Sequence, residues 1–488
     1  MTNMNSDIDT LADDLPPLLE RLARQLDVRS ELTSELLTQI GNHTGLPVSL
    51  TDAEIATVAA QYRRLGSDHP RRHELLRLLA ASGSRAALDV WLGFMLDDPP
   101  QGDDAATMAL VPLFQQENWP IDAVFPRLLD ALDQSAVAAV VIDLANFLTR
   151  KGRVARHPAA EQVTRLAELL GSVVGVLGQI EEHPERFATT PQELTAKVAS
   201  ALPLVVSLCD ALGLIGEPAV IGKLNQAREL RHRRIRVEAN AALARLGDKS
   251  GLENLAELAA EPVVRTRVLA YLAELNELPK AKHEFVSLSA QAVGRLAAWL
   301  AEPVRYGVGP ASIEVIDHRR QHWPGFEQAI DCFLIRYQMP LAAPTAQGIA
   351  LAGPSLAAAN VDLADLHPAA IYAYYAGLTV EHEAIVETPA ERLALPQLEA
   401  WTAQKAKLQQ AQFSDLKLLW KGDFFEHHYW VALGQREGQR VVIVSGDENV
   451  AWYPHHDSPR ALSPADWYTL HKGRVLLETF NPPESTSS

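Results

Sequence analysis

The chain has 488 residues, 47% of them hydrophobic, and a formal net charge of −17. That much apolar material excludes a chain that is disordered throughout. The acidic balance works against a phosphate-backbone partner, and it is spread along the chain: 14 Lys/Arg against 21 Asp/Glu from residue 304 onward, 30 against 40 before it.

In chain order, residues 1–14 are polar and acidic, with no basic stretch leading into an apolar run. We read them as a flexible N-terminus rather than a signal peptide, and expect a soluble, cytoplasmic protein. From 15 to 40, Leu18, Leu19, Leu22, Leu26, Leu32, Leu36, Leu37 and Ile40 recur at helical spacing. Thr51 or Asp52 caps a helix over 53–65. Arg71-Arg72, then Leu75, Leu76, Leu78, Leu79 and Gly83, open a faint helix–turn–helix unit whose second helix covers 86–96. Helices are predicted over 108–116, 122–132, 136–149 and 159–180. In the last, Gly171, Gly175 and Gly178 share one face, which reads as close helix packing. Two apolar stretches stand out. The first, 169–180, is too short to span a bilayer, and 202–222 carries Asp210 and Glu217, so no membrane partner is expected.

Between residues 202 and 277 a unit repeats openly. Ala211-Leu212-Gly213-Leu214-Ile215-Gly216-Glu217 aligns with Ala242-Leu243-Ala244-Arg245-Leu246-Gly247-Asp248, 31 residues on. Ile235-Arg236 aligns with Val264-Arg265, and Leu243–Gly247 with Leu272–Asn276, 29 residues on. Each unit reads as a helix, a turn at Gly or Asn in the left-handed region, and a second helix. Such a pair cannot bury its apolar face alone, so neighbours must stack. The pattern apolar-Arg-x-x-Ala-x-x-Ala-Leu-x-x-Leu-Gly-Asp resembles HEAT-like repeats of the phycobilin-lyase type. The resemblance implies an α-solenoid offering a face to a partner. Such repeats occur in scaffolds, chromophore lyases and some DNA glycosylases, so the resemblance speaks to fold rather than to one reaction.

Near residue 303 the composition changes. Of 31 aromatic residues, 20 lie from 304 onward, with nine of the 16 histidines. Strands are predicted over 312–319 and 329–337 around the turn Trp323-Pro324-Gly325, with a short one at 348–351. Helices follow over 368–388 and 396–412, then a meander of strands at 428–433, 440–445 and 450–453. The middle strand, Val441-Val442-Ile443-Val444, is apolar on both faces and must be covered on both. A helix at 465–470, a strand at 474–480 and a disordered tail over 481–488 close the chain.

Chemistry is harder to place. The sequence contains no phosphate-binding or dinucleotide glycine loop and no Gly-x-Ser-x-Gly elbow. Cys209 and Cys332 read as buried thiols. His427-His428 and His455-His456-Asp457 form the only tempting cluster. A meander with tight turns sets His428 level with about Val450, which leaves His455 some five residues further along, about 17 Å; a separate site of His455 and Asp457 with His318 or His322 stays open. The run Arg228, Arg231, His232, Arg233, Arg234, Arg236 suits phosphate or an acidic partner, while the equivalence of Arg236 and Arg265 points to bracing between repeats. Tyr429, Trp430, Trp452, Tyr453, Trp467 and Tyr468 serve as core or as partner anchors.

These readings give a mainly α chain: an α-solenoid of HEAT-like helix pairs over 15–303, then a smaller α+β domain with an antiparallel sheet over 304–480. The expected function is a non-enzymatic protein–protein scaffold, with no catalytic residues, metal or cofactor. Its partner is another protein and not nucleic acid. The candidate interaction surface comprises Arg231, Arg233, Trp430, Trp452, His455 and Asp457. The alternatives are an enzyme or small-ligand binder with a pocket between solenoid and C-terminal domain, and a chromophore-lyase-like activity resting on the repeat resemblance alone.

Overall fold

Thr51 shows how the helices begin. Its hydroxyl accepts from the Glu54 N–H at 3.3 Å, and the Glu54 carboxylate accepts from the Thr51 N–H at 2.7 Å. This capping box satisfies two otherwise orphaned backbone donors. Ser30, Ser84, Thr190, Asp248 and Ser287 cap other helices by the same side-chain bond. At the far ends Gly83, Gly216, Gly247 and Asn276 all take positive φ, as the Gly/Asn turns of the repeat require.

The computed structural model describes residues 15–454, apart from 26, 46–47, 322, 324–325, 327–328, 342–345, 354, 360–362, 380–384, 425–426 and 447–449. The sequence expectations for 1–14, for the helix at 465–470, the strand at 474–480 and the tail lie outside the described residues. The chain divides into two units. One runs up to Ala259 and adds Arg267–Ala281; the other joins Ala260–Thr266 to Lys282 onward.

The first unit holds α1 (Leu15–Arg24), α2 (Glu31–Asn42), α3 (Asp52–Leu65), α4 (His73–Ser82), α5 (Arg85–Asp97), α6 (Asp103–Gln115), α7 (Ile121–Leu128), α8 (Ser135–Arg150), α9 (Val163–Glu182), α10 (Pro191–Ile215), α11 (Ile221–Arg228), α12 (Arg233–Arg245) and α13 (Lys249–Glu257). Within the run from α2 to α12, each even-numbered helix packs on the next even-numbered one. The odd-numbered helices α1, α3, α5 and α7 do likewise, as do α9 and α11. Successive helices therefore alternate between two rows. One apolar cluster runs through the array, from Leu22 through Leu79, Trp91 and Leu144 to Leu212 and Leu243. By length and composition alone, Ala160–Glu182 and Gln192–Ile215 are long and apolar enough to cross a membrane, more continuous than the sequence reading allowed. Within the array, α9 turns Leu166, Leu170, Val174, Leu177 and Ile180 into the common core. Of its glycines, a Cβ at Gly171 would meet the Lys223 Nζ at 2.8 Å, whereas Gly175 faces open space. The Lys223 side chain can swing aside and Gly178 has only an ordinary contact at 3.9 Å, so close helix packing requires none of the three glycines.

α14 (Pro262–Glu274) is shared between the units. In the second unit Arg265, from its first turn, donates to Ala290 O at 3.0 Å and Ala260 O at 3.2 Å, with its guanidinium 5.2 Å from the Phe285 ring. Arg265 therefore ties the start of α14 to the start of the next long helix within the second unit, rather than one repeat to the next as expected. The short α15 (His283–Val286) and α16 (Leu288–Leu300) follow. By sequence, α16 falls at the end of the solenoid. Instead Ala292, Val293, Leu296 and Leu300 pack against Phe333, Ile335 and Ala350 of a sheet. The aromatic-rich composition starts only with the strands, so a boundary drawn from composition falls after the helix that covers them.

That sheet has the order β1 (Ser312–Gln321), β2 (Ile330–Gln338), β3 (Gln347–Ala352), β4 (Leu356–Ala358), all antiparallel. Period-two alternation sends Phe333 and Ile335 to α16 and Cys332 and Leu334 to the other face. There α17 (Pro368–Thr379) supplies Ile371, Tyr372 and Tyr375. The helix expected over 368–388 stops at Thr379, because Ile385–Pro389 is a strand, β5. It opens a second antiparallel sheet with β6 (Ser414–Phe424), β7 (His427–Arg436), β8 (Gln439–Ser445) and β9 (Val450–Pro454). α18 (Leu395–Gln410) lays Trp401 and Leu408 on Trp430, Ala432, Val441 and Ile443. The four residues Val441–Val444 are buried on both faces, as their pattern demands.

Candidate functional site

The turn between α11 and α12 is built to stay in place. Leu230 is buried and anchors it from below. The Arg231 N–H donates to both Glu181 carboxylate oxygens, at 2.9 and 3.0 Å, tying the turn to the end of α9. Arg228 Nη1 donates to Ser250 Oγ at 2.9 Å on α13. His232 occupies the cap position of α12 and makes no side-chain capping bond. Its ring sits below the usual histidine range, through burial first and the neighbouring Arg233 second, and its buried Nδ1 has no hydrogen-bond partner.

Charge at this turn runs against helix electrostatics. The amino end of a helix carries partial positive charge and favours carboxylates. α12 has no acidic residue in its first turn and begins Arg233-Arg234. The sister repeat, 29 residues on, has Glu261-Pro262 where this turn has His232-Arg233. Arg234 is engaged, donating to Glu238 at 2.7 Å. Arg231 and Arg233 are exposed, and among the described residues neither guanidinium makes a hydrogen bond or ion pair.

A polar lattice crosses four helices, α8, α10, α12 and α14. Ser207 donates to Asp143 at 2.6 Å, joining α10 to α8. Arg150 of α8 pairs with Asp210 of α10 and, at 2.5 Å, with Glu274 of α14. Arg245 of α12 reaches the same two carboxylates at 3.0 and 3.1 Å. Glu238, 1% exposed, accepts from Arg234, from Arg267 at 3.0 Å and from the Tyr271 hydroxyl. Burial disfavours the charged Arg267, yet Glu238 and Tyr271 hold its guanidinium above its ordinary value. Burial likewise opposes ionised Glu274, but Arg245 and Arg150 keep its carboxyl below the usual range. Asp143 is pushed up, chiefly by burial. The lattice has balanced charges and locks helix to helix; it leaves little for a ligand.

Sequence reasoning missed this lattice although a signal was present. Glu238 and Arg267 are 29 residues apart, as are Arg245 and Glu274. Equivalent positions in consecutive repeats thus carry opposite charges, and stacking brings them together.

The remaining candidates named from the sequence separate. Trp430 is buried and packs on Trp401, ring centroids 5.7 Å apart, so it is core and not a surface anchor. Trp452 is 37% exposed on β9, with Arg436 4.8 Å from its ring and Phe413 edge-on at 6.5 Å. His455 and Asp457 lie outside the described residues, as does His322. His318 bonds Asp331 at 2.8 Å and stacks on Phe333 at 4.2 Å. Trp430, through Ser445, lies level with Val450, two residues from the register expected for His428. Cys209 and Cys332 are both free and buried. Among the described residues no group of three or more His, Cys, Asp or Glu is placed to hold a metal ion.

No protein-family model matches the chain, and no curated protein matches its sequence.

Proposed function

We propose that the protein is a non-enzymatic scaffold that binds another protein, a HEAT-like helical-repeat solenoid carrying an α+β domain. One observation carries this reading. The charged groups of the lattice across α8, α10, α12 and α14 pair with one another, while Arg231 and Arg233 on the turn leading into α12 are exposed and, among the described residues, unpaired. A frame whose internal charges cancel presents a rigid face at low ordering cost, which favours association. An acidic chain with a local basic turn suits a protein surface better than a long polyanion. A soluble, cytoplasmic setting is part of this reading.

The test is native mass spectrometry of the full chain isolated gently from its own cells. A stoichiometric complex with a second protein is expected. A chain recovered alone at physiological salt, at concentrations where the complex would persist, contradicts the proposal.

A further inference from the structure

We infer that the turn carrying Arg231 and Arg233 is a docking site for an acidic segment of a partner protein, an inference that rests on the scaffold reading above. Two exposed guanidinium groups flank the uncapped start of α12, where backbone N–H donors and the helix dipole add to their field. The matching start of α14 has Glu261 where this turn has His232. The local sequence therefore sets cations where the helix itself prefers an acid, and an acidic group from outside satisfies both. Guanidinium forks pair carboxylates in a bidentate way. Glu181 does not serve as that acid: its carboxylate accepts from the Arg231 backbone N–H and, among the described residues, forms no ion pair with either guanidinium. The footprint is short: Glu181 and the exposed Glu229 lie beside it, and the whole chain carries −17. A few carboxylates fit there, whereas a long nucleic-acid backbone runs past the basic turn onto an acidic chain.

The probe is a fluorescein-labelled hexaglutamate peptide titrated against the full chain at low salt by fluorescence anisotropy. Saturable binding is expected. Arg231→Glu with Arg233→Glu should weaken it by about ten-fold or more, while Arg21→Glu with Arg71→Glu, the same charge change at two exposed arginines elsewhere, leaves it close to wild type. The first double variant should also melt no lower than wild type, since an acidic side chain at position 233 suits the helix start. Equal loss in both double variants, no saturable binding, or tighter binding of a single-stranded oligonucleotide of equal charge overturns the inference. The two proposals fail separately. Peptide binding at the turn with no protein complex in native mass spectrometry contradicts the scaffold. A complex equally stable in both double variants contradicts only the docking site.

Discussion

Glu238 is almost wholly buried and accepts from two arginines and a tyrosine that come from α12 and α14. Removing its carboxylate leaves the hydroxyl of Tyr271, a residue 3% exposed, without an acceptor. Arg234 and Arg267 are about two-fifths exposed and recover some hydration. Glu238→Ala is therefore expected to cost about 2–3 kcal/mol, below the full penalty of a broken buried pair; chemical denaturation measures it, and a loss under about 0.5 kcal/mol contradicts the lattice. His157 gives a pH signature. Its Nδ1 accepts from the Ala159 N–H at 3.1 Å, so Nε2–H donates to Asn146 Oδ1 at 3.0 Å, and the neutral ring fits. Burial pushes its pKa down to about 4. The unfolded chain then binds more protons between about 6.5 and 4, so this contribution is complete above 6.5 and falls away as pH drops. From pH 7.5 to 5 it amounts to about 2 kcal/mol. His157→Gln should show a flatter fall in stability over that interval; an unchanged slope means the ring is not the source.

At the scale of elements, glycines separate the two uses of small residues. A Cβ at Gly213 in α10 would lie 2.8 Å from the Ala242 Cα of α12, against backbone that cannot swing aside. Gly175 on α9 has nothing within 4 Å. Alanine favours a helix over glycine by about 1 kcal/mol in either place, but overpacking costs about 1–3 kcal/mol. Gly175→Ala should raise the melting temperature and Gly213→Ala should lower it; shifts of the same sign in both contradict the close approach of α10 and α12. Sequence patterning carried the helices far. Thr51 caps α3, and Gly216, Gly247 and Asn276 make the left-handed turns the repeat calls for. Patterning lost β6, where Asp415, Lys417, Lys421 and Asp423 interrupt the apolar run and only pairing with β5 and β7 makes a strand. It lost β5 by extending a helix through Ile385 and Val386, two β-branched residues that suit a strand. The candidate site was half legible. The exposed arginines of the turn could be named from composition. The burial of Trp430 depends on α18 lying over its face of the sheet, which no local pattern reveals.

For the whole molecule, charge is the organising quantity. The chain is acidic throughout, the lattice across α8, α10, α12 and α14 balances its own charges, and the turn before α12 carries Arg231 and Arg233, unpaired among the described residues. Association at that turn is screened by salt over about 8 Å at physiological ionic strength. Binding of an acidic partner should accordingly weaken between about 50 and about 300 mM salt, chiefly through slower association. The most direct test of the scaffold is a photo-crosslinking residue placed at Arg233 of the full chain and activated in its own cells, with the same residue at Arg71 as reference. One dominant crosslinked protein is expected at position 233, joined through an acidic peptide and reduced when Arg231→Glu is added. Crosslinking at 233 no greater than at 71, or joined through peptides without acidic character, contradicts it.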